Sequence, residues 1–380
     1  MGKWKGKYVI GLTGNIGTGK TVVRRMLEHL GAYGIDADAL SHRVIARGGP
    51  GYPKVLEVFG QWLLKADGEI DRKKLGRVVF DDPAALKRLE GIIHPYVIQA
   101  IDILINRATQ PVVVVEAIKL EDLRLDKACD SIWVTTAPLD MQLARLSEKR
   151  KMSRHEAMQR INAQPTKEAR VASSSVIIRN DGSFEDTWSA VNAAWRRFVP
   201  ADVSAPATVI VPRKQTSAGV MSVLRGMPRH SSEIAELMNR ILPGANLSRM
   251  DIMAAFGEKA FLLLQVGESL QGLIAWQVEN LVSRTHDIVL DAAVPPDQAL
   301  PLLFKEMENA SRDLQAEAAL VFVPDGLAKL TKVWEGLGYM QRETDSLGVT
   351  AWQQAAQDAQ PANTVLFFKQ LRVDRVLRPM

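Results

Sequence analysis

The sequence predicts an α/β protein of two domains. The first is built on a parallel sheet with a helical lid, and the second is a mixed α/β domain. Three observations lead there. An apolar run at Val9–Leu12 passes through a glycine-rich turn into a segment of helical spacing that ends at Leu30. Gln110-Pro-Val-Val-Val-Val-Glu116 is apolar on both faces, as a central parallel strand requires. Beyond residue 220 the pattern changes to short strands, a hairpin and few helices. With 380 residues, two domains are the expected number. The boundary is read at 201–219, where Pro206 and Pro212, just beyond Pro200, stand among small and polar residues as in a linker. Residues 1–200 and 220–380 are then the domains.

Composition narrows the class. Hydrophobic residues make up 47% and charged residues 24%, the balance of an ordinary globular protein. No apolar run is long enough to span a bilayer, and Val9–Leu12 is too short for a signal-peptide core, so no membrane partner is expected. Cys129 is the only cysteine, which excludes an internal disulfide and suits a reducing, cytoplasmic setting. The net charge of +5 fits either nucleic acid or small polyanions. No basic run is interleaved with aromatics and no zinc spacing occurs, so no nucleic-acid partner is expected.

Residues Gly14-Asn15-Ile16-Gly17-Thr18-Gly19-Lys20-Thr21 satisfy G-x-x-x-x-G-K-[ST], the phosphate-binding loop. Glycines let the backbone turn tightly and bring its N–H groups to phosphate oxygens. The helix that follows directs its positive N-terminus at the same anion. Lys20 is placed to reach the β- and γ-phosphates of ATP, and the Thr21 hydroxyl to ligate Mg²⁺.

Gly34-Ile35-Asp36-Ala37-Asp38 reads as the end of a second strand. At the carboxyl edge of an open α/β sheet both carboxylates fall beside the phosphate loop. Either can hold Mg²⁺ through water or accept a proton, and Asp38 can equally cap the helix that follows. Asp71 opens a capped helix, and Asp82-Pro83 another that leads to Leu89–Pro95. His94 before Pro95 reads on spacing alone as structural. Glu116 closes the central strand near the metal position. Ser131–Thr136 is a further buried strand. The helices of 141–170 carry Arg145, Lys149, Arg150, Lys151, Arg154, Arg160, Lys167 and Arg170, mostly as a solvated face, in a place where a basic lid can supply arginines to a transferring phosphoryl group. Val176–Asn180 is a last strand, and Phe184–Phe198 a closing helix with Trp188 and Trp195 inward.

Over residues 8–198 these marks resemble the dephospho-CoA kinases: Gly11–Thr21, Ile35–Asp38, Asp67–Asp71, Leu89–Pro95, Gln142–Leu146, Arg150, Arg160 with Gln164, and Asn180-Asp-Gly. The resemblance implies a P-loop NTPase-type sheet with a helical lid, and transfer of the γ-phosphate of ATP to the ribose 3′-hydroxyl of dephospho-CoA. It implies Lys20 and the loop on the ATP phosphates, and Thr21 and Glu116 with Mg²⁺. Asp38 would orient or deprotonate the hydroxyl, with Arg145 and Arg150 neutralising the transferring group. Asp36 and His94 fall on the substrate side. Three places depart from the family. Asn15 replaces a glycine, a mild change because Asn tolerates left-handed backbone angles. Ala117–Glu121 and Ser173-Ser174 also differ, and the first of these touches the substrate side.

In the C-terminal half, strands are expected at 220–225, 260–266, 270–278, 287–294, 318–323 and 363–371, and helices at 232–242, 297–315 and 327–337. Gly338-Tyr339-Met340 turns into one more strand. That order and Trp334-Glu-Gly-Leu-Gly-Tyr339 resemble the GNAT-type N-acetyltransferases, which implies an acetyltransferase-like fold. The family's pyrophosphate loop is R/Q-x-x-G-x-G/A. Here Val294–Leu303 has no glycine, Pro295 and Pro296 donate no N–H, and Asp297 adds negative charge. A degenerate module with a structural, dimerising or regulatory role is therefore expected, binding CoA or acetyl-CoA poorly or not at all. The alternative is a bifunctional kinase and acyl-CoA-dependent N-acetyltransferase. Glu279 and His286 are its conceivable bases, and both read better as surface residues.

Overall fold

A computed structural model describes residues 3–164, 167–172, 174–203, 213–216, 219–374 and 376–377. Contacts divide the chain into two compact units. One comprises Met1–Lys20, Gly34–Ile177 and Asp374–Met380, and the other Thr21–Tyr33 and Ile178–Val373. Most of the expected linker lies outside the described residues. Its far end does not, because Arg213–Thr216 forms a strand.

The N-terminal elements run β1 (Tyr8–Gly14), α1 (Lys20–His29), β2 (Tyr33–Asp36), α2 (Ala37–Val44), α3 (Tyr52–Phe59), α4 (Arg72–Asp81) and α5 (Pro83–Arg107). Then come β3 (Val112–Glu116), β4 (Ser131–Thr136), α6 (Leu139–Arg150), α7 (Arg154–Asn162), α8 (Lys167–Ala172), β5 (Val176–Arg179) and α9 (Phe184–Phe198). The sheet order is β2-β3-β1-β4-β5. β1 is central and pairs in parallel with β3 (Ile10 opposite Val114) and with β4 (Leu12 opposite Trp133). Val112 to Glu116 are all buried, which explains the unbroken apolar spelling of β3. Asp71 and Asp82 cap α4 and α5 as expected. α5 continues through Pro95 for 25 residues, held by Val97, Ala100, Ile101, Leu104 and Ile105 along its buried stripe.

The C-terminal elements are β6 (Arg213–Thr216), β7 (Gly219–Arg225), α10 (Ser231–Ile241), α11 (Arg249–Ala255), β8 (Ala260–Val266), β9 (Ser269–Glu279), β10 (Val282–Leu290) and α12 (Pro296–Asp313). β11 (Ala318–Pro324), α13 (Asp325–Ala328), α14 (Thr331–Gly336), β12 (Met340–Gln341), α15 (Thr350–Gln357) and β13 (Thr364–Gln370) complete them. They form one sheet in the order β12-β13-β11-β10-β9-β8-β7-β6. Leu300, Leu303, Phe304 and Met307 of α12 belong to one core, with Trp334, Tyr339 and Phe367. Ile234, Leu237 and Met238 of α10 and Ile252 of α11 belong to another.

Three expectations shift here. β10 begins at Val282, five residues before the expected strand, and ends at Leu290. Its first half carries polar residues that hide it in the sequence. Ser283 and Thr285 are nonetheless fully buried. Asn280 and Leu281, both at positive φ (52° and 61°), make the tight β9–β10 turn. The helix expected over 327–337 is two short ones, α13 and α14, and α11 and α15 were not anticipated. Only Val282–Thr285 of β10 pairs, in parallel, with β11, and the β9–β10 register slips between Thr285 and Asp287. The two parallel strands thus part after Thr285.

Candidate active site

The loop 14–20 leaves the central strand at Gly14 and enters α1 at Lys20. Gly14, Gly17 and Gly19 have φ of 152°, 80° and 90°. At Gly14 a Cβ would stand 2.3 Å from Thr135 Oγ1 and 2.6 Å from the Thr135 carbonyl oxygen, so only glycine fits. The Thr18 hydroxyl lies 2.7 Å from the Asn15 carbonyl oxygen and 2.8 Å from Thr135 Oγ1, tying the loop to β4. Lys20 Nζ donates to the Gly14 carbonyl at 3.0 Å. Thr21, next along α1, is exposed at the helix start.

Asp36 and Asp38 divide the work that the sequence left open between them. The Asp36 side chain accepts from Ala39 N at 2.8 Å and caps α2. Asp38, in the first turn of α2, is thereby left for the loop. Burial pushes the Asp38 carboxyl upward, Lys20 pulls it down, and Glu116 pushes it up again. It also accepts from the Ile118 backbone N–H, and the net direction is up. Lys20 is lowered by its own burial, against the opposing pull of Glu116 and Asp38. Glu116 is buried at the end of β3. Arg150 acts electrostatically on both Lys20 and Asp38. Arg145, lowered by burial, donates to the Gly17 carbonyl at 3.3 Å.

Lys20, Asp38, Glu116, Arg145 and Arg150 therefore converge on the loop. His94 does not. It is half-buried on α5 and lines a cavity of about 590 Å³ with Glu90, Ile98, Ile101, Leu123 and Leu125, and none of residues 14–21 lines that cavity.

Two lid residues were given no role at the loop by the sequence. Arg170, placed in the basic series as mostly solvated, is only 3% exposed. Its guanidinium donates to Asn15 Oδ1, Thr13 Oγ1 and the Ile118 carbonyl, each at 2.7 Å. Gln164 Oε1 accepts from Ile16 N at 2.8 Å. Asn15 supplied the overlooked signal. It is not among the residues at positive φ, so it does not stand there for left-handed tolerance. Its side-chain oxygen is the acceptor for Arg170. Ile118 serves Asp38, Thr13 and Arg170 through backbone atoms alone, which explains how the departing segment 117–121 keeps its place.

The oxygen donors suit a hard cation. Among the described residues no three His, Cys, Asp or Glu side chains gather as a metal cage. Mg²⁺ in phosphoryl-transfer sites needs no such cage, only one or two carboxylates beside substrate phosphates and water. Thr21 carries its hydroxyl at the start of α1, and Glu116 a buried carboxylate at the end of β3.

At the far end of the chain, α12 has Pro295 as its N-cap residue and Pro296 in its first turn, with no side-chain capping bond and with Asp297 in the same turn. No helix among the described residues is long and apolar enough to cross a membrane.

A sequence model of dephospho-CoA kinase matches residues 8–186. The dephospho-CoA kinase of Geobacter metallireducens is 40% identical over 194 residues, covering 50% of this chain and 96% of the relative. That of Moorella thermoacetica is 36% identical over 195 residues, covering 50% and 92%. Among solved structures, an acetyltransferase of the GNAT family from Staphylococcus aureus Mu50 covers 40% of this chain and 99% of its own, with 10% identity and a TM-score of 0.31. With a loop built for phosphate, a lid closed on it by Arg170 and Gln164, and relatives matched over nearly their whole length, the chain belongs to the dephospho-CoA kinase family.

Proposed function

We propose that Lys20, Asp38, Arg145 and Arg150 carry out the transfer of the ATP γ-phosphate to the 3′-hydroxyl of dephospho-CoA, the last step of coenzyme A synthesis. As a member of its family the chain is a phosphotransferase with an alcohol acceptor. The carrying observation is that Asp38 is free of the capping role, faces Lys20 electrostatically and has its carboxyl raised toward a useful base. Lys20 and the amides of Gly14–Thr21 hold the ATP phosphates. Asp38 takes the proton of the attacking hydroxyl. The new O–P bond forms as the bond to the β-phosphate oxygen breaks, and ADP leaves. Arg145 and Arg150 offset the charge spread over the transferring group. Mg²⁺, held by Thr21 and Glu116 when bound, neutralises phosphate charge. Asp36 acts indirectly, by fixing the start of α2.

Catalysis is assigned to residues 1–200, and a structural or regulatory role to the acetyltransferase-like 220–380. The prolines at the start of α12 weigh against pyrophosphate binding there. A cytoplasmic setting goes with the lone Cys129. The test is Asp38→Asn in the full chain, assayed for 3′-phosphorylation of dephospho-CoA. Turnover falls by about 10²- to 10⁴-fold with little change in melting. Near-normal turnover would remove Asp38 from the mechanism.

A further inference from the structure

We infer that the acetyltransferase-like domain braces the phosphate-loop helix, and that Arg225 is a positioning residue for nucleotide binding. The inference rests on the reading of the α1 N-terminus as the nucleotide site.

The compact unit formed by Thr21–Tyr33 and Ile178–Val373 holds α1 together with the C-terminal sheet. The side chains Arg24, Arg25, Glu28 and His29 are all buried there. A surface helix carrying R-R-x-x-E-H would ordinarily leave those groups in water. Here each finds a partner within the unit, and only His29 Nδ1 is left without a hydrogen bond. Arg24 and Arg25 pair with Glu28 at 2.5 and 2.9 Å. Arg25 also donates to the carbonyl of Val278, on β9, at 3.0 Å. Arg225, at the end of β7, donates to the carbonyl of Glu28 at 3.1 Å. His29 donates to the Phe256 carbonyl at 2.8 Å, and its ring meets Phe256 edge-on at 5.3 Å. A Cβ on Gly257 would come within 3.3 Å of Val22 Cγ1, so the backbone after α11 lies directly on the helix.

These contacts are directional, and several end on backbone carbonyls. They fix both the rotation and the axial position of α1, rather than merely covering an apolar stripe. Glu28 O belongs to the last turn of α1, where it also accepts from Gly31 N at 3.1 Å and where the negative end of the helix attracts cations. Arg225 is that cation. The opposite end of the same ten-residue helix carries Lys20 and Thr21. A rigid helix transmits a shift at one end to the other. Phosphate binding, which depends on amide and ammonium placement to within about 0.5 Å, registers it.

The experiment uses the full chain and two replacements, Arg225→Met and Arg225→Lys. Calorimetric titration of ADP with Mg²⁺ is followed by kinetics with ATP and dephospho-CoA. Arg225→Met is expected to weaken ADP binding and raise the KM for ATP about tenfold, leaving the KM for dephospho-CoA within twofold. Arg225→Lys, which keeps a donor, restores both to within about threefold. Unchanged ADP binding in Arg225→Met overturns the brace. Wild-type protein that binds no ADP overturns the nucleotide site itself, and the brace with it. Hydrogen exchange on the wild-type chain gives the answer even where Arg225→Met fails to fold. Coupling is reciprocal, so ADP must slow exchange of amides in 255–262 and 275–280. No slowing there refutes the inference.

Discussion

His29 makes the stability of this protein depend on pH in a way that can be isolated. Its Nε2–H donates to the Phe256 carbonyl, so Nδ1 is the bare nitrogen, and it is buried without a hydrogen-bond partner. A second proton has nowhere favourable to go. Burial, and then the charge of Arg225, lower the His29 pKa from 6.5 to about 4, against the pull of Glu28 and the Phe256 carbonyl. Above pH 6.5 both folded and unfolded chains hold a neutral ring, and the group has no effect on stability. As pH falls below 6.5 the unfolded chain takes up a proton that the folded one refuses. Stability is lost progressively until about pH 4, where the folded ring also titrates. A displacement of that size corresponds to roughly 3 kcal/mol. The perturbation is His29→Gln, which retains a donor for Phe256 and does not titrate. At pH 7 the variant is less stable by about 1 kcal/mol, through lost ring contacts with Phe256 and Trp188. Urea unfolding of both chains at pH 7, 6, 5 and 4 supplies the comparison. Carboxylates and His286, itself lowered to about 4 chiefly by burial, titrate alike in both and cancel. The variant should overtake wild type between pH 6 and 5 and lead by about 2 kcal/mol at pH 4. Curves that stay parallel within about 0.5 kcal/mol over the range would refute a neutral, proton-refusing His29.

Three further outcomes are expected. Gly14→Ala forces a Cβ against the Thr135 backbone at a φ that only glycine tolerates well, so thermal unfolding should show a loss of about 2–4 kcal/mol together with abolished ADP binding. Arg170→Met removes three charge-assisted bonds that close the lid on Thr13, Asn15 and Ile118. Steady-state kinetics should show kcat/KM for ATP down by at least tenfold, and Arg170→Lys should recover only part of it because one ammonium cannot reproduce the planar fork. Phe304→Ala opens a hole beside Trp334 and Tyr339, whose rings lie 5.2 and 5.7 Å away, and urea unfolding should report about 3–5 kcal/mol lost.

Local chemistry is legible in the chain, and chemistry shared between distant segments is not. The loop from Gly14 to Thr21 is legible because one turn, one lysine and one helix start perform its task within eight residues. β3 and β8 are legible because full burial writes itself as an unbroken apolar run. β10 was misplaced because Ser283 and Thr285 are polar yet buried in the middle of a sheet, where cross-strand neighbours and not their own character decide their place. Asp36 and Asp38 looked interchangeable, since either spacing allows a cap. Only the hydrogen bond from Ala39 N separates them. Arg170 was hidden among seven other basic residues of the lid, and its partner Asn15 lies 155 positions away.

By itself, the sequence determined the phosphate chemistry, the order of strands and helices in the first half and the family. Each follows from short motifs whose spacing is imposed by backbone geometry. The tertiary structure alone decided which carboxylate faces Lys20, which lid arginine is buried, and that α1 belongs to the same compact unit as the C-terminal sheet. Those outcomes depend on desolvation and, for Arg170 and α1, on contacts between residues more than a hundred positions apart. No local pattern encodes either, because the cost of burying a charge is known only once its neighbours are in place.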